Sequence, residues 1–380
     1  MKIVYIHNKK ISFNEKSFIL SSLKDSFPKS KLVIKKNKIF LLNKKNFSQI
    51  KKSCPNLMRL SGPSKKKIIF LQNKKLKYTN DPISFLKKKK EIVKISEGLF
   101  QFQGTFLRVF RSLNKYFYNL AIKKYDAIDQ EHPVFWPVDL YKKIDYFSDF
   151  PQQTLLISGL KKNYENYKNF SKKYSKNKYF KTIKIDNKFS ESKYGLQPAV
   201  CDNCYYALQN VKNHKNSIYT TYNKVFRDEK SNSKTLDRLI SFSVRDIMFV
   251  GDERFVLETR NDLVKSLKKF FQITMLKCRI EVANDPFFMS NINKKVFQDA
   301  MDLKYEIIAE IPFLKKEIAV GSINFHLNTF GKAFKIKRKG KFIYSGCIGI
   351  GFERLLLALY SQHGTNIDKW PKKFKNILNL

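Results

Sequence analysis

The stretch from residue 345 to 359 constrains this chain more than any other. Ser345-Gly346-Cys347-Ile348-Gly349-Ile350-Gly351 reads as a glycine-spaced strand, and Phe352-Glu353-Arg354 then opens the apolar run at 355–359. A strand thus enters a buried helix with an arginine at the junction. Glycine at 349 and 351 removes side chains, so a flat ligand can lie against the backbone. Arg354, in the first helical turn, offers a permanently charged fork for a phosphate. The same residues also describe a plain strand–helix joint with a surface arginine. Residues upstream decide between the two.

The chain has 380 residues, enough for two or three domains, and 43% of them are hydrophobic, which excludes a disordered chain. Its formal charge is +43, from 75 Lys and Arg against 32 Asp and Glu. A charge of that size invites a nucleic-acid partner. Only 11 of those 75 residues are Arg, whereas nucleic-acid sites favour Arg for base edges and phosphate forks. Lysine drift in an AT-rich genome accounts for the same excess. Five scattered cysteines do not form a disulfide framework. The first residues lack a signal-peptide core, and no apolar run is long enough to span a bilayer. A cytoplasmic protein without membrane contact is expected.

Residues 1–93 alternate short apolar runs with lysine clusters and read as a small N-terminal α/β extension of unassigned role. Residues 3–6, 32–34, 39–42 and 68–71 read as strands, and 18–23 and 47–50 as short helical pieces. Residues 94–380 form the second expected domain. Within it, apolar residues at helical spacing run from Phe106 through Phe110, Leu113 and Phe117 to Ala121. Residues 132–138 are extended and punctuated by proline. Residues 161–190 are rich in Lys, Asn and Tyr and read as a solvated excursion.

Residues 218–227 and 239–250 read as two strands joined by a polar loop. In the second, Phe242, Val244, Asp246, Met248 and Val250 share one face. Phe226-Arg227-Asp228-Glu229 stands where the loop begins. This pair of strands resembles motif 2 of the class II aminoacyl-tRNA synthetases, and the glycine-spaced strand with Arg354 resembles their motif 3. Phe135–Pro137 with the helix before it stands for the looser motif 1. The resemblance implies an α+β fold, a six-stranded antiparallel sheet flanked by helices, and a homodimer. It also implies roles in ATP binding. Arg227 contacts the α-phosphate and the substrate carboxylate, Glu229 the adenine amine, Phe242 stacks on the adenine, and Arg354 holds the γ-phosphate. Fixed positive charge suits an in-flight phosphate, because arginine does not deprotonate.

Two further stretches narrow the resemblance. Leu303-Lys304-Tyr305-Glu306-Ile307, Glu317-Ile318 and Ser322-Ile323-Asn324 resemble the core of seryl-tRNA synthetases, which places Glu317 on Mg²⁺ and Asn324 at the bound nucleotide. Glu281-Val282-Ala283-Asn284-Asp285-Pro286-Phe287-Phe288, taken with the run at 322–331 and Cys347, resembles the amino acid–[carrier protein] ligases. That family adenylates a small amino acid and passes it to a phosphopantetheine thiol. It holds Zn²⁺ through Cys, Glu and Cys. The cysteines match Cys201 and Cys347, and Asp246 stands where the family has Glu. Two thiolates and a carboxylate leave a fourth position for the substrate amine. Asp246 and Asp285 are thereby expected at the substrate. Cys201-x-x-Cys204 is a lone pair without a second, so Cys204 reads as core, and His326 reads as a locally hydrogen-bonded residue.

The expected function is ATP-dependent activation of a small amino acid and transfer to a carrier protein. The first rival is a divergent seryl-type synthetase that charges tRNA, with the lysine-rich N-terminal region on the RNA. The second is a non-catalytic module that keeps the fold and has lost the chemistry.

Overall fold

A computed structural model describes residues 2–6, 20, 23, 30–42, 47–52, 54, 67–76, 80–175, 182–228, 235–283, 285 and 301–380. Its contacts divide the chain into two compact units, Met1–Lys67 and Ile68–Leu380. The division falls ahead of the 93/94 boundary expected from the lysine clusters. The reason lies in strand pairing: the strand over Ile68–Gln72 bonds to Cys278–Ala283 of the second unit, not to its sequence neighbours.

The first unit holds a three-stranded antiparallel sheet with Lys38–Leu41 between Lys2–Ile6 and Leu32–Lys35. Leu32, Ile34, Ile39 and Leu41 are buried, as are Leu23, Ile50 and Cys54. Residues 47–50 are helical as expected. Most of the helical piece expected at 18–23 lies outside the described residues.

The second unit is built on an eight-stranded sheet. In chain order its strands are β1 (Ile68–Gln72), β2 (Ile128–Asp129), β3 (Ser217–Phe226), β4 (Ser241–Gly251), β5 (Cys278–Ala283), β6 (Lys304–Ile311), β7 (Lys316–Leu327) and β8 (Tyr344–Gly351). Their spatial order is β1-β5-β6-β7-β8-β4-β3-β2. The six strands from β5 to β3 are the antiparallel sheet that was expected. One strand is added at each edge, β1 antiparallel and β2 parallel.

Alternation decides which residues face each way. One face carries Ile247, Phe249, Ile280, Ile307, Ile323, Ile348 and Ile350, all buried in one core. Three helices cover it: α1 (Gly104–Asn119), α3 (Glu253–Thr274) and α4 (Phe352–His363), with α2 (Asp202–Ala207) elsewhere in the unit. Helix α3 starts at Asp252, whose carboxylate accepts from the Phe255 amide at 3.0 Å. It presses Leu263, Leu267, Phe270 and Phe271 onto the sheet. The expected apolar stripe of α1 is buried at Phe106, Val109, Phe110, Leu113 and Phe117. Each such side chain contributes roughly 1.5–3 kcal/mol by leaving water. Arg245 ties α1 to the sheet: it donates to Asn114 Oδ1 (2.7 Å) and Thr220 Oγ1 (3.0 Å) and lies against the rings of Tyr118 and Tyr222.

The opposite face is covered only in part. Trp136, Tyr141, Tyr146, Tyr205, Phe334 and Ile343 pack on Met248 and Val250. Beyond them, Ser322, Asn324, Glu306 and Gly349 stay partly exposed. The excursion at 161–190 contains the helix Tyr164–Ser175, none of whose residues is buried. Among the described residues no helix is long and apolar enough to cross a membrane.

Candidate active site

The strand register aligns two rows of residues across the open face. Asp246, Gly349, Ser322, Glu306 and Glu281 are successive cross-strand partners. Met248, Cys347, Asn324, Lys304 and Ala283 form the next row. Cys201, at the N-cap of α2, enters from above the sheet. Sequence positions far apart thereby converge: the sulfurs of Cys201 and Cys347 and a carboxylate oxygen of Asp246 lie within 4.8 Å of one another, all three residues buried. A tetrahedral Zn²⁺ with Zn–S about 2.3 Å and Zn–O about 2.1 Å sets its ligands roughly 3.5–4 Å apart, so the donor set fits with small adjustment. Gly349 makes room for it. A Cβ there would stand 2.6 Å from Asp246 Oδ1 and displace the carboxylate.

The electrostatics of this cluster call for a cation. Burial lifts the Asp246 carboxyl well above its usual range, and the Cys347 and Asp202 charges add to the effect. Burial pushes Asp202 to about 7. The Cys201 thiol is raised by its hydrogen bond to Cys347 and by burial. Cys347 is drawn well below the ordinary thiol value by that same bond, helped by His326. Four buried acids thus crowd one spot, and a divalent ion would reverse that strain.

The residues expected at ATP lie further along the same strands, with Arg227 close enough to the cluster to act on the Asp246 and Asp202 carboxyls. Arg227 extends from β3, donates from Nε to the Pro198 carbonyl at 2.9 Å, and lies 5.4 Å over the Phe242 ring. Arg354 donates to the carbonyls of Asp237 (2.7 Å) and Ala319 (3.3 Å). Beside it, the buried Glu353 accepts from the Ser243 amide (2.8 Å) and hydroxyl (2.9 Å) and clamps α4 to β4. Glu229 lies outside the described residues, as do Asn284 and residues 286–288.

Three other expected site residues have protein partners. Glu317 is exposed and paired with Arg279, which also pairs with Glu281. Asp285 pairs with Lys304, a buried lysine that also reaches Glu306 at 3.3 Å. Asn324 donates to Cys347 Sγ (3.4 Å) and Ser322 Oγ (3.2 Å), which sets it at the thiol cluster. Cys204 is fully buried in the aromatic core, as expected. Asp202, Arg279, Lys304 and Glu353 were not singled out from sequence. Asp202 had one signal, its adjacency to Cys201. Arg279 and Lys304 are found through cross-strand register, and Glu353 through its hydrogen bonds to Ser243.

An antiparallel sheet backed by helices, with an arginine on the β3–β4 hairpin and another where β8 becomes α4, is the class II aminoacyl-tRNA synthetase fold. Residues 180–363 match the family model described as the tRNA synthetase class II core domain (G, H, P, S and T). Among individual proteins, the chain is similar to the type-2 serine–tRNA ligase of Methanocaldococcus jannaschii. The two are 26% identical over 320 residues, which cover 80% of this chain and 61% of that protein. The chain is also 32% identical over 157 residues to amino acid–[acyl-carrier-protein] ligase 1 of Bradyrhizobium diazoefficiens, covering 41% of this chain and 48% of that one. Among solved structures, the M. kandleri seryl-tRNA synthetase crystallised with A. aeolicus tRNASec superposes with a TM-score of 0.72 at 16% identity. That match covers 99% of this chain and 76% of the other. The chain spans about three-fifths of the length of the M. jannaschii relative.

Proposed function

We propose that this chain activates a small amino acid with ATP as an aminoacyl-adenylate and transfers it to tRNA, in the manner of the serine–tRNA ligases it resembles. The observation that carries the activation step is the convergence of Cys201, Asp246 and Cys347 beside the Arg227–Phe242 pair. These three would hold Zn²⁺, which supplies an open position for the amino group of the substrate. Among the described residues three such ligands meet there, which would leave a fourth position for that amine.

The remaining work is positioning and charge stabilisation. Arg227 holds the substrate carboxylate against the α-phosphate. A carboxylate oxygen attacks that phosphorus, the bond to the β-phosphate oxygen breaks, and pyrophosphate leaves. Arg354 holds the outer phosphate and Phe242 supports the adenine. Glu317, now paired with Arg279, would hold the Mg²⁺ that accompanies ATP. No side chain needs to move a proton in this step.

The acceptor is assigned to tRNA on the strength of the relatives: the serine–tRNA ligase similarity extends over 80% of the chain. The carrier-protein acceptor expected from sequence is the second reading, supported by the 32% identity to the carrier-protein ligase over a shorter stretch. Pyrophosphate exchange with each of the twenty amino acids tests activation, and no exchange with any of them overturns it. Labelled amino acid offered with total tRNA and with phosphopantetheinylated carrier proteins then decides the acceptor. Label on tRNA alone supports the first reading, and label on a carrier alone supports the second.

A further inference from the structure

His326 lies in β7 where the ladder to β8 breaks. Phe325 pairs with Gly346 and Leu327 with Ser345, so His326 is an extra residue, a β-bulge. Leu327, immediately after it, has φ +54°, a conformation a branched side chain rarely adopts. Bulges re-aim a side chain, and strain of this kind persists where the surroundings enforce it. Here the bulge turns the imidazole onto the Cys347 sulfur, at 3.7 Å from Nε2.

The ring is held from its other side. Nδ1 lies 3.2 Å from the Tyr205 hydroxyl and 3.3 Å from Ser345 Oγ. Either hydroxyl can donate to Nδ1, which leaves the ring proton on Nε2, facing the sulfur. Phe330 meets the imidazole edge-on at 4.8 Å and 87°, and Tyr205 stacks on Phe330 at 4.2 Å. The two thiols are therefore unequally served. Cys347 receives a hydrogen bond from Asn324 and has His326 Nε2 3.7 Å away. Cys201 has the Asp202 carboxylate 3.8 Å away.

The geometry points to His326 as a positioning residue for the thiol–carboxylate cluster: its Nε2–H fixes the direction of the Cys347 sulfur and limits how strongly that sulfur donates to a bound metal. Tyr205 and Ser345 act through it by fixing the ring. This inference rests on the metal reading above. Partners of this kind typically change metal affinity 10–100-fold when removed. A sulfur that donates less leaves the metal a better acceptor for a substrate amine, so the effect extends to amino-acid KM more than to kcat.

The test compares wild type with His326→Phe, which keeps the packing on Phe330, and His326→Gln, whose amide reaches the Nε2 position. Zn²⁺ affinity is read by chelator competition, and the Co²⁺-loaded proteins are read by their sulfur-to-cobalt charge-transfer band. The expected result is Zn²⁺ affinity lowered about 10-fold or more in His326→Phe, with the band moved to lower energy. His326→Gln should recover most of both, and Tyr205→Phe should move both the same way by less. The inference is overturned if folded His326→Phe keeps the wild-type Zn²⁺ affinity and cobalt band. If that variant does not fold, Tyr205→Phe and Ser345→Ala carry the test with the same criteria. Wild type that takes up neither metal overturns the metal reading itself, and this inference with it.

Discussion

The two faces of the sheet obey different rules. The helix-covered face is sealed with Ile, Leu and Phe and contains almost nothing that could react. The open face keeps carboxylates, thiols, a lysine and arginines in register, several of them fully buried. Both faces alternate along the same strands, so each strand has one face for stability and the other for chemistry. Asp246 and Ile247, adjacent in β4, show the division directly. Ile247 lies in the apolar core, and Asp246 sits in the cluster of acids. Groups that oppose folding are therefore concentrated on one side, and the other side must offset them.

Substitutions can break this comparison, and the largest effect is expected behind the sheet. Phe270→Ala should lower stability by about 3–5 kcal/mol through the cavity it leaves. Denaturant melts read that loss, while the KM for ATP stays at the wild-type value. A changed KM would show that the two faces are not separable. Arg227→Ala is the reciprocal experiment. Pyrophosphate exchange should fall about 10²–10³-fold, with the melting temperature unchanged.

Next comes an effect of pH on the rear face. His363, packed against Trp370 and Phe374, is held down to about 4 by burial. The folded protein thus keeps a neutral ring where the unfolded chain, near 6.5, takes up a proton. Its contribution is present above about pH 6.5 and is lost as pH falls toward 4, by up to about 3 kcal/mol. His363→Phe should flatten the acid side of a stability–pH curve, and an unchanged slope would remove His363 as its source. The smallest effect sharpens the contrast within a single strand. Gly349→Ala should leave the fold intact while pushing the Asp246 carboxylate aside, with metal retention about 10-fold weaker. Equal retention would mean that Asp246 does not bind the metal.

Local features of the site were legible in the sequence. Glycine spacing announced the strand-to-helix joint at Arg354, and period-2 alternation put Asp246 on the same face as Phe242. The meeting of Cys201, Asp246 and Cys347 was reached only through a family resemblance, because no spacing rule links residues so far apart. Register was the hidden variable elsewhere. Ile68–Gln72 was read as a strand, but its partner lies more than two hundred residues away, which no local pattern shows. His326 was read as locally bonded. The bulge that aims it is a mismatch between two strands, and neither strand reveals that alone. Lys304 was read only within a stretch that carries the resemblance, until its burial between Asp285 and Glu306 set it apart.

One feature limits how this protein can change over evolutionary time. Strand β8 ends at Gly351 and α4 begins at Phe352, with no loop between them. The thiol at 347 and the guanidinium at 354 are consequently joined by a rigid spacer of fixed length. Inserting or deleting a single residue there would turn Cys347 to the apolar face or take Arg354 away from the Asp237 and Ala319 carbonyls. The unburied helix Tyr164–Ser175 has no such constraint, whereas the segment from 347 to 354 can be substituted but not lengthened or shortened.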